Sequence, residues 1–192
     1  MFAPRLAALR VLGVDPGLVR TGWAVLDSNG DGAHVLAHGV IAPPTDAELP
    51  TRLAAGASEL VRVLREYQPR LAALEDIFTA PRHPRSALLM AHMRGVICLT
   101  LHQASLQILP LTATTVKQRL TGSGHASKQQ VQRMVQHMTH MDPGTRLRLD
   151  ESDAIALALA GLSVAAGPPA HPQHRSRGLP EHLLARGWSP RV

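Results

Sequence analysis

Residues 9 to 22, LRVLGVDPGLVRTG, constrain the fold more than any other stretch, because a short apolar run there delivers one carboxylate into a proline and glycine turn. Leu9, Val11, Leu12 and Val14 read as a buried strand, and Pro16 and Gly17 stop it, so Asp15 belongs at its end. Thr21 to Asp27 (TGWAVLD) returns at once as a second strand. So close a return predicts an antiparallel hairpin, with Gly17 and Gly22 supplying tight backbone geometry and room beside Asp15 for a phosphate or a metal ion. An Asp before Pro-Gly also serves as a plain turn former. What Asp15 does depends on what the rest of the chain brings to it.

Ala33 to Ala42 predicts a third strand, which completes a meander. Thr51 to Tyr67 places Leu53, Ala57, Leu60, Val61 and Leu64 on one helical face, the pattern of a helix lying on a sheet. Pro69 to Glu75 (PRLAALE) has the length of a buried strand parallel to the first, and it too ends on a carboxylate. Strand alternation sends Glu75 and Asp76 to opposite sides, and Glu75 is the one expected beside Asp15. Ser86 to Ala104 is apolar nearly all round, so both faces need cover, from the sheet and from either a partner subunit or the helix 51 to 67. Leu106 to Leu111 makes a fifth strand, with Pro110 marking an edge or an end.

Thr112 to Gly124 predicts a short helix carrying Lys117 and Arg119, closed by a glycine-rich turn. Ser127 opens the next helix, with Gln130 three residues on as its capping-box partner. Lys117, Arg119, Lys128 and the amides around Gly122 and Gly124 are expected to offer phosphate contacts. Asp150 and Asp153 then lie three apart, on one face of the first turn of a helix that packs on the sheet. The sequence thus predicts an α/β fold, a mixed five-stranded sheet flanked by helices, with an N-terminal extension over 1–9, one domain over 10–166, and a basic Pro/His/Arg-rich tail over 167–192, expected to be disordered.

The chain has 192 residues, a net charge of +6 and a pI of about 10.9, which suits an anionic partner. Only Lys117 and Lys128 are lysines, and the tail accounts for half of the net charge. The lone Cys98 excludes an internal disulfide framework and a cysteine-based zinc site. Without a signal peptide or a charge-free apolar run of membrane-spanning length, the expected location is cytoplasmic.

Asp15, Glu75, Asp150 and Asp153 can converge only where two parallel strands and a C-terminal helix meet. Hard oxygen ligands in that number suit Mg²⁺ or Mn²⁺, and two such ions acting on one scissile phosphate would make a phosphodiesterase. A strand, then D-x-G, then a strand also opens actin-like ATPases, but those close two such domains around a nucleotide, and neither a second phosphate loop nor an adenosine pocket is evident here.

GVDPG-x₃-TG at 13 to 22, LEDIF at 74 to 78, VKQRLTGSGHASKQQV at 116 to 131 and DESDAIALALA at 150 to 160 together closely resemble RuvC, the Holliday-junction resolvase family of bacteria. The resemblance runs from about Arg10 to Leu162. It implies an RNase H-like fold, a homodimer through helix 86–104, and paired symmetric nicks at a four-way DNA junction in recombination and repair. It also implies two Mg²⁺ or Mn²⁺ ions on Asp15, Glu75, Asp150 and Asp153, with RuvA and RuvB as branch-migration partners. Phe78 matches an aromatic that stacks on opened bases, and Lys117 and Lys128 match basic residues near the cleaved strand. A non-catalytic junction binder, and an RNase H-like nuclease acting on RNA–DNA hybrids, are the alternative readings.

Overall fold

The computed structural model describes residues 9–28, 32–76, 84–142 and 144–167. Phe78, residues 1–8 and the tail from 168 lie outside them. Strands β1 (Leu9–Asp15), β2 (Thr21–Ser28) and β3 (Ala33–Ile41) form an antiparallel meander. Helix α1 (Leu49–Tyr67) leads to β4 (Leu71–Glu75), and α2 (Pro84–Gln103) leads to β5 (Gln107–Leu111). Three helices follow, α3 (Ala113–Thr121), α4 (Lys128–Thr139) and α5 (Leu149–Ala166). The sheet order is β3-β2-β1-β4-β5, with β4 parallel to β1 and β5 parallel to β4. This is the mixed five-stranded sheet expected, and Pro110 does lie on an edge strand, where a missing N–H is tolerated.

Alternation along the strands divides the core in two. Leu12, Val14, Ala72 and Leu74 point to one face, where Leu60 and Val63 of α1 and Met93, Ile97 and Leu101 of α2 cover them. Val11, Leu26, Leu71 and Ala73 point to the other, under α3, α4 and α5. With helices on both faces, β1 and β4 can be apolar throughout, which is how they read in the sequence. Truncating a fully buried leucine such as Leu60 or Leu101 would cost about 2–5 kcal/mol.

Boundaries move where local chemistry permits. Helix α1 begins two residues before the expected Thr51, because Pro50 sits in the first turn, where its absent N–H is not missed. β4 starts at Leu71, after α1 ends on Gln68 in the left-handed region at φ 47°. Leu9 pairs with Ser28 and so belongs to the sheet and not to an extension. Helix α2 packs on α1 through Met93 and Ile97, so burial under α1 accounts for its inner face. Its outer face keeps Leu88 at 63% and Leu99 at 56% exposure.

Helix α5 is the central element. Ala154 and Ala158 lie so close to β1 that a Cβ on Gly13 would collide with the Ala154 carbonyl. Gly161 sits over Ala73 and Val11, where a Cβ would crowd the Ala73 methyl group. Small residues at these positions let α5 lie flat on the sheet, with α3 and α4 outside it. Its first turn therefore comes to the edge where β1 and β4 end.

Candidate active site

Parallel pairing decides the first pair of acids. Val14 stands opposite Leu74 in the β1–β4 ladder, so the next residues, Asp15 and Glu75, emerge side by side at the ends of adjacent strands. Each carboxyl group feels the other, and Glu75 helps to raise the pKa of Asp15. Asp76 turns the other way and pairs with Arg94 of α2 at 2.8 Å, as alternation requires. The Arg94 Nε also donates to the Glu75 carbonyl at 3.1 Å, which ties the end of β4 to α2.

The second pair comes from α5. The backbone of Asp150 packs directly on Gly22, where a Cβ would meet its carbonyl, so this glycine admits the helix to the hairpin. The Arg148 N–H donates to Glu151 Oε2 at 2.9 Å, and Glu151 Oε1 lies 3.2 Å from His38 Nδ1 on β3. Glu151 thus caps α5 and anchors its first turn to the sheet. Asp153 faces Lys128, whose Nζ is 3.8 Å from its Oδ2.

These four acids repel one another in a partly buried place. Burial, the hydrogen bond with Glu75, and the charges of Glu75, Asp153 and Asp150 together push the Asp15 pKa up to about 8. Asp153 is also raised, mainly by burial, while Lys128 opposes the shift and Glu75 and Asp150 add to it. Among the described residues, no three His, Cys, Asp or Glu side chains are already gathered as the ligands of one ion. They stand instead as two pairs, Asp15 beside Glu75 at the ends of adjacent strands and Asp153 facing the Lys128 ammonium. A set of hard oxygens that holds a proton near neutral pH to relieve its own repulsion fits divalent cations such as Mg²⁺ or Mn²⁺.

A cavity of about 140 Å³ opens beside the acids, lined by Glu75, Asp153, Lys117 and Lys128 among others. The two lysines are therefore where the sequence expected them. Ser127 and Gln130 form the expected capping box, which sets α4 and Lys128 against Asp153. Arg119 is not brought there. Its guanidinium lies near Gly167 at the other end of α5, hence about 21–26 Å along the helix from Asp153 and Asp150. The Gly122 and Gly124 amides are not free donors either. The Gly122 N–H goes to the Gln118 carbonyl at 3.0 Å and the Gly124 N–H to Gln118 Oε1 at 2.9 Å. Phe78 lies outside the described residues.

Arg94 and His38, which no motif announced, brace the site together with Glu151, whose own role the motif at 150 to 160 did not reveal. A third group, Arg20, Arg52 and Arg148, lines a groove of about 850 Å³ on the side of Asp150. Only the basic composition of the chain hinted at these arginines. Among the described residues, no helix is long and apolar enough to cross a membrane.

The family model for crossover junction endodeoxyribonuclease RuvC matches residues 11–161. The crossover junction endodeoxyribonuclease RuvC of Bordetella avium is 40% identical over 151 residues, covering 79% of this chain and 82% of its own length. That of Maricaulis maris is 38% identical over 152 residues, 79% of this chain and 89% of its own. Among solved structures, Thermus thermophilus RuvC in complex with a Holliday junction substrate superposes with a TM-score of 0.76 at 26% identity, over 82% of this chain and 94% of that one.

Proposed function

Since the chain belongs to the RuvC family of crossover junction endodeoxyribonucleases, we propose that it resolves four-way DNA junctions by paired nicks, with Asp15, Glu75, Asp150 and Asp153 as its metal-binding catalytic residues. The observation that carries this reading is that β1 and β4 end side by side on Asp15 and Glu75, and the first turn of α5, with Asp150 and Asp153, packs against the same edge of the sheet. Two Mg²⁺ or Mn²⁺ ions held by these carboxylates would polarise the scissile phosphate and supply a nucleophilic water near neutral pH.

The chain's own groups do the positioning. Asp15 in its ionised form would share a ligand role with Glu75, and a bound cation would offset the repulsion between the two carboxylates. Lys117 and Lys128, across the 140 Å³ cavity from Glu75 and Asp153, hold phosphate oxygens of the cleaved strand. Arg94 keeps the end of β4, and with it Glu75, at a fixed height. Arg119, at the remote end of α5, can touch only DNA away from the cut, and Phe78 is assigned base stacking by the family resemblance alone. Two copies meet through α2, whose exposed Leu88, His92, Gly95 and Leu99 fall on one helical face. A Cβ on Gly95 would meet nothing within 4 Å, so a second helix can approach there. Two-fold symmetry would pair two active sites with a two-fold junction. The enzyme works in the cytoplasm on junctions presented by RuvA and RuvB.

The test incubates the protein with a synthetic four-way junction, matched linear duplex and RNA–DNA hybrid, with Mg²⁺, Mn²⁺ or chelator, beside Asp15→Asn. Ligatable paired nicks on the junction alone, lost with chelator and in the variant, are expected. A junction bound but never cut would make this a non-catalytic binder, and preferential cutting of the hybrid would change the substrate.

A further inference from the structure

We propose that the groove lined by Arg20, Arg52 and Arg148 is a second phosphate subsite, which grips the cleaved DNA strand on the opposite side of the acids from Lys117 and Lys128. This rests on the junction-cutting reading above and gives a role to Arg20, Arg52 and Arg148, to none of which the family resemblance assigned one.

Position is the first argument. Asp150 lines this groove, while Glu75 and Asp153 line the cavity shared with the lysines. The acids therefore lie between two positively charged surfaces. A strand whose scissile phosphate sits on the acids must leave the site in both directions, and each direction meets one of these surfaces.

Charge is the second. Arg20 and Arg148 are exposed, and neither has a carboxylate partner within salt-bridge distance among the described residues. Arg52 is held in place by an Nη2 bond to the Leu18 carbonyl at 3.1 Å, yet its buried Nε has no partner among the described residues. Three guanidinium groups thus face a groove whose lining includes one acid, Asp150. Guanidinium forks match phosphate oxygens two at a time, and such contacts fix position along the backbone without reading sequence.

Shape is the third. The walls between the arginines are apolar, with Leu18, Leu89 and Leu147 among them. That combination suits a nucleotide, whose sugar and base edges can lie against the leucines while its phosphate meets the arginines. A free anion would gain nothing from those walls.

Junction binding would be measured by fluorescence anisotropy in Ca²⁺ across a salt series, for the wild type, Arg20→Gln, Arg148→Gln and the double variant. Arg52 is left intact because it braces the loop after Asp15. Each lost phosphate contact should flatten the slope of log Kd against log salt by about 0.7–0.9, and the double variant by about 1.5. Junctions with single uncharged methylphosphonate linkages, walked across the cut, should weaken wild-type binding on both flanks. They should weaken the double variant only on the lysine flank. An unchanged slope, or the same methylphosphonate profile in both proteins, overturns the subsite. So does a slope change accompanied by a fall in oligomeric mass, which would mean that the groove is covered by a second copy. If the wild type cuts no junction, the functional reading fails; if it cuts and the double variant is indistinguishable, only the subsite fails.

Discussion

Asp15 sits at the end of β1 among three other carboxyl groups, and its pKa of about 8 means that it enters neutral solution protonated. In the unfolded chain an aspartate titrates near 3.8. Between those values the folded protein binds a proton that the unfolded chain has released, so stability falls as pH rises through this window and levels off above about 8. For the metal-free protein, thermal unfolding should give a Tm that declines steadily from pH 5 to pH 8. Asp15→Asn should remove most of that slope and stabilise the metal-free protein at pH 8 by on the order of 2–4 kcal/mol, while abolishing cleavage. Cations compete with the same proton. The rise in Tm produced by saturating Mn²⁺ should therefore be larger at about pH 8.5 than at about pH 6; an equal rise at both would mean that Asp15 takes no part in binding the ion.

At the scale of elements, the site depends on how closely α5 can lie on the hairpin. Gly22→Ala would push a methyl group into the Asp150 carbonyl and lift the first turn of α5. The overpacking should cost about 1–3 kcal/mol in urea unfolding. Single-turnover cleavage should fall by at least about a hundredfold, since small displacements of catalytic groups carry large penalties. Arg94→Met should leave Asp76 without its partner and loosen the end of β4. It should raise the Mn²⁺ concentration needed for half-maximal cleavage more than it lowers the rate at saturation. Much of this was legible in the sequence because it follows from local pattern. The apolar run ending at Asp15, its counterpart ending at Glu75, the choice of Glu75 over Asp76 by alternation, and the Ser127–Gln130 box all depend on neighbours a few residues away. What stayed hidden is non-local. His38 meets Glu151 across 113 residues and Arg94 meets Asp76 across 18, contacts set by how a helix is rotated on its sheet. Gln118 captures the Gly124 amide by a side-chain bend that no spacing rule describes, and Arg119 follows α3 toward the far end of α5.

For the whole molecule, the proposed pairing of two copies through α2 would bring two cutting centres together. Leu88→Glu with Leu99→Glu would replace the two large exposed apolar side chains of the outer α2 face with charges. Light scattering should show the mass dropping from twice 20.6 kDa to that of one chain. The monomer should nick junctions singly, leaving products that ligase cannot convert into two intact duplexes. The order of the acids along the chain has a consequence for synthesis. Asp15 and Glu75 lie on early strands, but Asp150 and Asp153 wait on α5, the last of the described helices, and α5 must dock on β1, the first strand, before the four meet. Such long-range closure comes late in folding. A chain whose α5 has not yet docked therefore lacks an assembled cutting centre, so this order of assembly would act as a safety catch, leaving the nuclease unarmed until its fold has closed.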